Sequence, residues 1–325
     1  MSGGGSAQAC LPAEGLTLAD KRHVTDSLLR AGASIVELNT VRKHLSRFKG
    51  GHLAQAAYPA TVLNLVLSDV RGNDLGTIAS GPTHWDSSTY AQARAVLQKY
   101  RLWATASPSV RRVIEAGVKG RTADTLKKGS RVFRGVESFI LGDIRTALAA
   151  AAKRARELGF EVRILTSSDQ GEAREAARDY AALLQAIVNA GNRTGRPLGL
   201  LAGGELTVTV RGRGKGGRNS EFALAFLLEM MKMPPVKSAG IAGRRPSWLA
   251  ASLGTDGLDG PTDAAGAWVS NKITARAGRL GLDPQAYLDR NDSYSFFKKA
   301  GSLIRTGPTG TNVMDLRLFL MDFAR

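Results

Sequence analysis

The sequence predicts an α/β protein with two mostly parallel α/β domains and a cleft between them. Apolar, strand-like runs such as TVLNLVLSDV (61–70) and VESFIL (136–141) alternate with helical stretches, which is the pattern of parallel sheets covered by helices. Several strands end in polar, glycine-rich turns, and 325 residues are enough for two cores of ordinary size. Because ligands bind beyond the carboxyl ends of such strands, we expect these turns to line the cleft.

The N-terminal half begins with two predicted helices. Residues 17–32 predict a helix with Thr17 as its N-cap and Asp20 completing a capping box. The remaining predictions for this half are a second helix over 34–48, a strand over 61–70 buried on both faces, a helical segment over 88–118 broken at Pro108, and a linker over 119–135.

The C-terminal half begins with a predicted βαβ unit. VESFIL, an alanine-rich helix and FEVRILTSS follow one another, so we expect a second parallel sheet to start near residue 136. Beyond it the sequence predicts the strands PLGLLAGGE, LTVTVR, WLAASLG and DLRLFLM, and the helices GEAREAARDYAALLQAIVNAG, SEFALAFLLEMM and DPQAYLDRN. LTVTVR alternates in polarity, which is typical of a strand with one wet face.

Composition and charge exclude several classes of protein. No apolar run reaches the roughly 18 residues of a membrane span and no signal-peptide pattern is visible, so we predict a cytoplasmic protein, with the mitochondrion as the alternative. The single cysteine, Cys10, excludes an intramolecular disulfide framework. The formal charge is +17, but the basic residues are spread along the chain and only 6% of residues are aromatic. Nucleic acid is therefore not predicted as the main partner.

The loop GRGKGGRNSEF (212–222) is the most cationic of the glycine-rich turns. Its amides, its arginines and the helix start behind it are typical of an anion site, and a solvated basic turn is the alternative. The loop matches G-x-G-x-x-G, but the alternating LTVTVR before it is not a buried apolar strand, and no acidic residue ends the next strand. The loop therefore predicts phosphate binding rather than a dinucleotide fingerprint, with Arg218 where a Walker loop has lysine.

A second glycine-rich loop, GTDGLDGPTDAAG (254–266), carries three carboxylates. Asp256, Asp259 and Asp263 do not follow the EF-hand spacing. Magnesium that bridges a substrate phosphate needs only one or two protein carboxylates, which this loop could supply.

Two smaller groups of polar residues are ambiguous from the sequence. Thr309, Thr311 and Asn312 either donate to an anion or cap turns. His44 and His52 are expected at the surface rather than as catalytic bases, and no cluster of histidine and cysteine indicates zinc.

Taken in order, these segments resemble the class II glycerate 2-kinases, whose C-terminal part is called the MOFRL domain. The matching stretches keep the family's order and are SGGGSA, ELNTVRKHLSRFKGGHLAQAAYPA, LSDVRGND, TIASGPT, LAGGELTVTVRGRGKGGRN, GTDGLDGPTDAAGAWV, NDSYSFF and TGPTGTNVMDL. The density of the match is closer to the animal members than to typical bacterial ones. The resemblance implies phosphoryl transfer from ATP to the 2-hydroxyl of D-glycerate, with Mg²⁺ or another divalent metal.

The resemblance also implies a domain plan. It implies a Rossmann-like N-terminal domain over residues 1–130, a C-terminal α/β domain over 131–325 with the MOFRL region at about 197–318, and an active site between the two. In the family a strand and a segment with a catalytic lysine precede SGGGSA, so we expect the first domain to be N-terminally truncated.

The roles of site residues follow from the family motif. Arg218, Asp256 and Lys49 are implied as catalytic: Arg218 would stabilise charge on the transferring phosphoryl group, and Asp256 would be a metal ligand or the base on the 2-hydroxyl. Lys49 and Arg42 lie in a segment that resembles a carboxylate or phosphate clamp. The implied binding residues are Ser2, Gly3, Gly4, Gly5, Ser6, Asn39, Arg42, Ser68, Asp69, Gly203, Gly204, Glu205, Gly216, Gly217, Asn219, Asp292, Thr309, Thr311 and Asn312.

Departures from the family pattern leave more than one function open. Ser220 replaces the usual Gln after GGRN, Arg71 replaces the usual Pro after SDV, and GIAGRRPSW looks like an insertion. The first hypothesis is an ATP-dependent glycerate kinase impaired by truncation. The alternative is a non-catalytic basic fragment or pseudoenzyme that binds a partner or polyanion. A hydroxypyruvate reductase has less support, because the nucleotide loop lacks a dinucleotide context.

Overall fold

The computed structural model describes residues 1, 4–190, 196–232 and 247–323. The chain divides into an N-terminal unit, Met1–Leu141, and a C-terminal unit, Gly142–Arg325. Both contain helices and strands, so the predicted α/β class is confirmed. No helix among the described residues is long and apolar enough to cross a membrane. Most of the suggested insertion, residues 240–246, lies outside the described residues.

The N-terminal unit is mostly helical and contains a two-stranded sheet. Its elements in chain order are α1 (Gly5–Gln8), α2 (Leu18–Arg30), α3 (Ile35–His44), α4 (His52–Ala57), β1 (Val62–Leu67), α5 (Tyr90–Lys99), α6 (Pro108–Val118) and β2 (Val136–Gly142), with short 3-10 turns at Arg71–Asn73, Ile78–Ser80 and Arg131–Gly135.

Local signals set the helix boundaries in this unit. The Thr17 side chain accepts from the Asp20 backbone N–H at 3.1 Å, and the Asp20 carboxylate accepts from the Thr17 N–H at 3.0 Å, which confirms the predicted capping box. Pro108 occupies the first turn of α6, so the predicted break in the 88–118 segment is also confirmed. Helices α2, α3, α5 and α6 bury a shared apolar core.

The C-terminal unit holds the larger sheet. Its elements are α7 (Ile144–Glu157), β3 (Glu161–Asp169), α8 (Ala173–Ala190), β4 (Leu198–Gly204), α9 (Arg218–Lys232), β5 (Ser247–Gly254), β6 (Gly266–Ser270), α10 (Asn271–Arg279), α11 (Pro284–Asp289), α12 (Ser293–Ala300), β7 (Leu303–Ile304) and β8 (Asp315–Asp322).

The sheet of this unit is mixed, where the sequence predicted mostly parallel strands. Its strand order is β3-β4-β8-β5-β6-β7. Strands β3 and β4 are parallel and are connected through α8, whereas β8 lies between β4 and β5 and runs antiparallel to both. The apolar pattern of a buried strand carries no information about its direction, which is why DLRLFLM did not reveal this arrangement.

The register of the sheet brings several strand ends together. Gly204 at the end of β4 and Gly254 at the end of β5 both lie opposite Asp315, the first residue of β8. Asp169, at the end of β3, lies opposite Gly204. The turns after β4 and β5 therefore meet at one edge of the sheet, as predicted for them.

Three strand predictions need correction. Strand β2 was expected to form a βαβ unit with β3, but it pairs with β1, and the parallel connection is β3–α8–β4. Strand β1 is buried on one face only, since Asn64 and Val66 are buried while Leu63 is 61% exposed. LTVTVR forms only an isolated β-bridge, at Thr207, and no strand. The Thr209 N–H donates to the Glu172 carboxylate at 2.6 Å instead of to a neighbouring strand.

Candidate active site

Arg218 is the centre of a polar cluster at the edge of the C-terminal sheet. It is the first residue of α9. Its Nε and Nη2 donate to the two carboxylate oxygens of Asp315 at 2.6 and 2.9 Å, and its Nη1 lies 2.8 Å from Glu205 Oε1. A guanidinium has five N–H donors, so these contacts leave two for a further acceptor.

The two carboxylates control the charge as well as the position of Arg218. Burial alone would lower the pKa of Arg218, but the hydrogen bonds and charge of Asp315, together with the charge of Glu205, raise it above its usual value. Asp315 is fully buried, whereas the Glu205 side chain is half exposed. The guanidinium is therefore permanently charged and held against a buried carboxylate.

The start of α9 already has an internal anion, the carboxylate of Asp259. Its oxygens accept from the backbone N–H groups of Asn219 and Ser220, each at 2.8 Å, and from the Ser220 hydroxyl. Asp259 is 2% exposed, and burial raises its pKa although these donated hydrogen bonds oppose the rise. The amides predicted to meet a phosphate at this helix start therefore donate to the Asp259 cap instead, and Arg218 is left as the group that can reach an external anion.

The glycines of the 212–217 loop serve close packing within the unit. A Cβ atom at Gly212 would lie 2.2 Å from the Arg290 carbonyl oxygen, and one at Gly216 would lie 2.2 Å from Ser293 Oγ. The Lys215 N–H donates to the carboxylate of Asp292 at 3.0 Å, which places that predicted binding residue under the loop. The three glycines of the G-x-G-x-x-G pattern, Gly212, Gly214 and Gly217, are thus explained by close packing against Arg290, Asp292 and Asp259, with no dinucleotide required.

Gly217→Ala should destabilise the protein by about 1–3 kcal/mol, because its Cβ would lie 2.4 Å from the Asp259 backbone carbon. Gly278→Ala is the matched control, since Gly278 lies in α10 with no atom near its Cβ position, and helix propensity favours alanine there by up to about 1 kcal/mol. Urea denaturation of both variants measures the difference. Equal stabilities would contradict the packing role.

Asp256, Asp259 and Asp263 separate into three environments. Asp259 caps α9, and Asp263 is exposed and contacts Tyr294 and Arg305. The Asp256 Oδ1 atom accepts from the Leu258 N–H at 3.0 Å. A Cβ atom at Gly254 would lie 2.8 Å from this oxygen and 3.6 Å from Asp315 Oδ1, so the Asp256 carboxylate lies beside the Arg218–Asp315 pair.

The described residues contain no group of three or more His, Cys, Asp or Glu side chains placed to hold a metal ion. Of the described carboxylates at this edge, that of Asp315 is already engaged by Arg218.

The loop 306–314 borders the same edge. Thr309 Oγ1 donates to the Thr255 carbonyl at 2.6 Å, and the Thr309 N–H donates to the Asp256 carbonyl at 3.2 Å. The Asn312 side chain accepts from the Met314 N–H at 3.1 Å, and the Thr311 carbonyl accepts from Thr309 Oγ1. Most of these polar groups hydrogen-bond within the loop or to its neighbours. These contacts are those expected if the residues cap turns.

The N-terminal unit contains a second polar cluster, around α1. Gly4 has the positive φ of 79° that begins this short helix, and a Cβ at Gly5 would lie 3.2 Å from the Ala79 side chain. Ser6 Oγ lies 2.6 Å from Ser80 Oγ, which donates to Asn39 Oδ1 at 3.0 Å. Three predicted residues, Gly5, Ser6 and Asn39, thus lie together, whereas Ser2 and Gly3 lie outside the described residues.

Two cations hold the backbone of α1. Arg42 Nη2 and Lys49 Nζ both donate to the Ser6 carbonyl, at 2.6 and 2.7 Å, and Lys49 Nζ also donates to the Ala9 carbonyl at 3.1 Å. Lys49 is only 1% exposed. Burial, reinforced by the charges of Arg42 and Lys21, lowers the pKa of Lys49 to about 8.

Four other residues singled out from the sequence lie in this unit: Ser68, Asp69, His44 and His52. Ser68 is buried and exchanges hydrogen bonds with Val70, and burial raises the pKa of the neighbouring Asp69 carboxyl. His44 was expected at the surface but is 1% exposed, because its ring bonds the Thr40 carbonyl and the Asp124 carboxylate at 2.7 and 2.8 Å. His52 is half-buried.

Three residues of these clusters, Asp315, Ser80 and Lys21, were not predicted from the sequence. Asp315 ends the TGPTGTNVMD stretch and Ser80 lies in TIASGPT, so both were inside recognised motifs. Ser80 and Ala79 have positive φ values of 63° and 51°, a strained backbone that composition does not reveal. Lys21 lies on the buried face of α2 at a position where helical periodicity calls for an apolar residue, which was an available signal.

Two protein families match the chain: a domain of unknown function, DUF4147, over residues 1–115, and the MOFRL family over residues 198–315. The D-glycerate 2-kinase of Thermotoga maritima is 42% identical over 99% of this chain and 71% of that protein. The glycerate kinase of Rattus norvegicus is 38% identical over 98% of this chain and 66% of that protein. A crystal structure of the T. maritima glycerate kinase superposes with a TM-score of 0.83, covering 99% of this chain and 72% of that chain at 42% identity. The chain therefore belongs to the MOFRL-containing glycerate kinase family.

Proposed function

We propose that this protein transfers the γ-phosphoryl group of ATP to the 2-hydroxyl of D-glycerate. In that reaction the substrate hydroxyl oxygen bonds to the γ-phosphorus while the bond to the bridging oxygen breaks, and the products are 2-phosphoglycerate and ADP. The chemistry requires little covalent participation by the protein, so positioning and charge stabilisation dominate catalysis. Membership of the glycerate kinase family supports this reaction class.

The observation that carries the mechanism is the held guanidinium of Arg218. Asp315 and Glu205 orient it, and two of its N–H donors remain for phosphoryl oxygens. Charge shifts between those oxygens and the leaving group during transfer, and a preorganised arginine stabilises the shifted charge without reorganising. Asp315 and Glu205 thus act as positioning residues in this mechanism.

Asp256 is the proposed acceptor for the hydroxyl proton or the protein ligand of a metal. Its Oδ1 atom accepts from Leu258, which leaves Oδ2 for either task. A bound Mg²⁺ would neutralise part of the phosphate charge. Asp256 would hold it alone among these carboxylates, because Asp315 is committed to Arg218.

The clamp role of Arg42 and Lys49 also belongs to this proposal. Both are cations held at Ser6, in the SGGGSA motif, and both retain donors beyond their contacts with the α1 backbone. Such donors suit the carboxylate of glycerate or a phosphate.

Hydride transfer as a hydroxypyruvate reductase is not favoured by this geometry. It would require a nicotinamide dinucleotide site, yet the glycine-rich loop is accounted for by its packing on Arg290 and Ser293. The helix start behind the loop is occupied by the Asp259 carboxylate. A purely basic fragment is not favoured either, because its charge would not require the Arg218–Asp315–Glu205 arrangement.

The activity test is a coupled assay with D-glycerate, ATP and Mg²⁺ on the purified chain. ³¹P NMR of the product distinguishes the 2-phosphate from the 3-phosphate. Arg218→Ala prepared in parallel controls for contaminating kinases. Folded protein that forms ADP no faster with D-glycerate than without it would refute the proposal.

A further inference from the structure

A buried lysine in the N-terminal unit has no carboxylate partner for its charge among the described residues. Lys21 lies on α2 and is 5% exposed, and its Nζ atom is buried with no hydrogen bond of normal geometry there, although the sulfur of Cys10 acts on it as a weak acceptor. A buried ammonium without a partner is costly, so its retention calls for an explanation. The adjacent acid, Asp20, does not supply one, because its carboxylate accepts from Thr17 and from the hydroxyls of Ser107 and Ser109.

Two further cations lie close to Lys21. Arg42 Nη2 and Lys49 Nζ meet at the Ser6 carbonyl, and the charges of Arg42 and Lys21 act on Lys49. Burial lowers the pKa of Lys21, and Arg42 lowers it further, whereas the half-buried Cys10 thiol opposes the change. No carboxylate is among the groups that act appreciably on any of these three cations.

The unused hydrogen-bond donors of the three side chains are concentrated at this place. Lys21 has three N–H donors and only the weak acceptor of Cys10, its sulfur, among the described residues, while Lys49 uses two of three. Arg42 uses one of its five, and it is half-buried, so it is the most accessible of the three cations. Several charged donors without acceptors are what an oxyanion would complete.

We propose that Lys21, Arg42 and Lys49 form an oxyanion pocket that binds the carboxylate or phosphoryl group of a reactant, with Lys21 as a binding residue. The proposal rests on the proposed kinase function for the identity of the reactants. The anion would supply Lys21 with a strong, charged acceptor and would offset the cost of burying three positive charges. Glycerate offers a carboxylate and ATP offers phosphates, so the two sources share one chemistry.

Lys21→Met tests the pocket first without any reactant. In a buffer free of phosphate, sulfate and carboxylates, the variant should have a higher melting temperature than the wild type, because it removes a buried charge that no carboxylate offsets. Arg22→Met is the matched control, since it removes one positive charge from the next, exposed position of α2 and should leave the melting temperature nearly unchanged. A lower melting temperature for Lys21→Met would mean that Lys21 has a structural partner, and would overturn the proposal.

Titration calorimetry with D-glycerate, with inorganic phosphate and with ATP then identifies the source of the anion. Lys21→Met should weaken binding of at least one of them about tenfold or more, which is the loss of one charged hydrogen bond, while Arg22→Met should not. A tenfold loss confined to D-glycerate assigns the carboxylate, and one shared by phosphate and ATP assigns a phosphoryl group. Unchanged binding of all three would overturn the proposal.

The outcomes of these titrations and of the kinase assay are separable. Lys21-dependent binding of phosphate by a chain without kinase activity would keep the pocket and refute the proposed function. An active kinase whose Lys21→Met variant binds D-glycerate, phosphate and ATP as the wild type does would keep the function and refute the pocket.

Discussion

Arg218→Ala is expected to reduce the turnover number for glycerate phosphorylation about a hundredfold while changing the affinity for ATP only modestly. The guanidinium contributes most where charge accumulates on the transferring phosphoryl group, so its loss should raise the barrier by about 3 kcal/mol. An interaction made mainly in the transition state lowers kcat and kcat/KM together. Steady-state kinetics with both substrates varied, together with ATP titrations, measure the two effects separately.

Structural damage must be separated from this catalytic effect. Removing Arg218 leaves the Asp315 carboxylate buried without its cation, which typically costs 3–5 kcal/mol of stability. Turnover should therefore be measured well below the melting temperature of the variant. Arg213→Ala, which removes an exposed arginine from the same loop, is the matched control and should keep a turnover number near that of the wild type. If the turnover number of Arg218→Ala were within tenfold of the wild type, Arg218 would not be catalytic and the loop would be only a basic turn.

The orientation of Arg218 can be tested without removing it. Asp315→Asn keeps the guanidinium but replaces a bidentate charged partner by a neutral one, so the fork is held less firmly. A fall in turnover smaller than that of Arg218→Ala is expected. The smaller fall for Asp315→Asn is expected because the Asp315 carboxylate affects turnover only by positioning Arg218.

Features of the fold that depend on neighbouring residues could be predicted from the sequence. The Thr17–Asp20 capping box and the helix start at Pro108 involve residues only a few positions apart. The local sequence therefore includes every residue that takes part in them. The direction of β8 and the pairing of β2 with β1 depend on distant segments. LTVTVR has the alternation of a strand, but tertiary contacts with Gly171 and Glu172 override it.

The same difference between local and long-range interactions applies to the candidate site. Glycine-rich loops and polar strand ends are visible locally, which is why Arg218 and Asp256 could be singled out, whereas Lys49 was implied only by the family resemblance. Arg218 is paired with a carboxylate 97 residues away, and the anion at the start of α9 comes from 40 residues away. A glycine pattern that serves close packing has the same letters as one that cradles a phosphate, so only the structure could separate the two.

Lys49 is expected to produce the second large effect, a rise of stability with pH. Burial and the charges of Arg42 and Lys21 lower its pKa from 10.5 to about 8, while the charge of Cys10 opposes the shift. Below pH 8 the folded and unfolded chains both hold the proton, and the cost of the buried charge is fully present. Between about pH 8 and 10.5 the folded chain releases the proton while the unfolded chain keeps it, so the free energy of unfolding increases, by about 3 kcal/mol across the window.

Urea denaturation of the wild type and of Lys49→Met at pH 7.5, 8.5, 9.5 and about 10.5 tests this expectation. The variant should lack the rise, so the stability difference between the two proteins should move in favour of the wild type across the window. Lys153→Met removes an exposed lysine and should give a curve parallel to the wild type. Parallel curves for Lys49→Met as well would show that Lys49 stays charged throughout. An anion bound beside Lys49 favours its protonated form, so saturating D-glycerate or phosphate should shift the rise to higher pH if this lysine is kept buried in order to bind it.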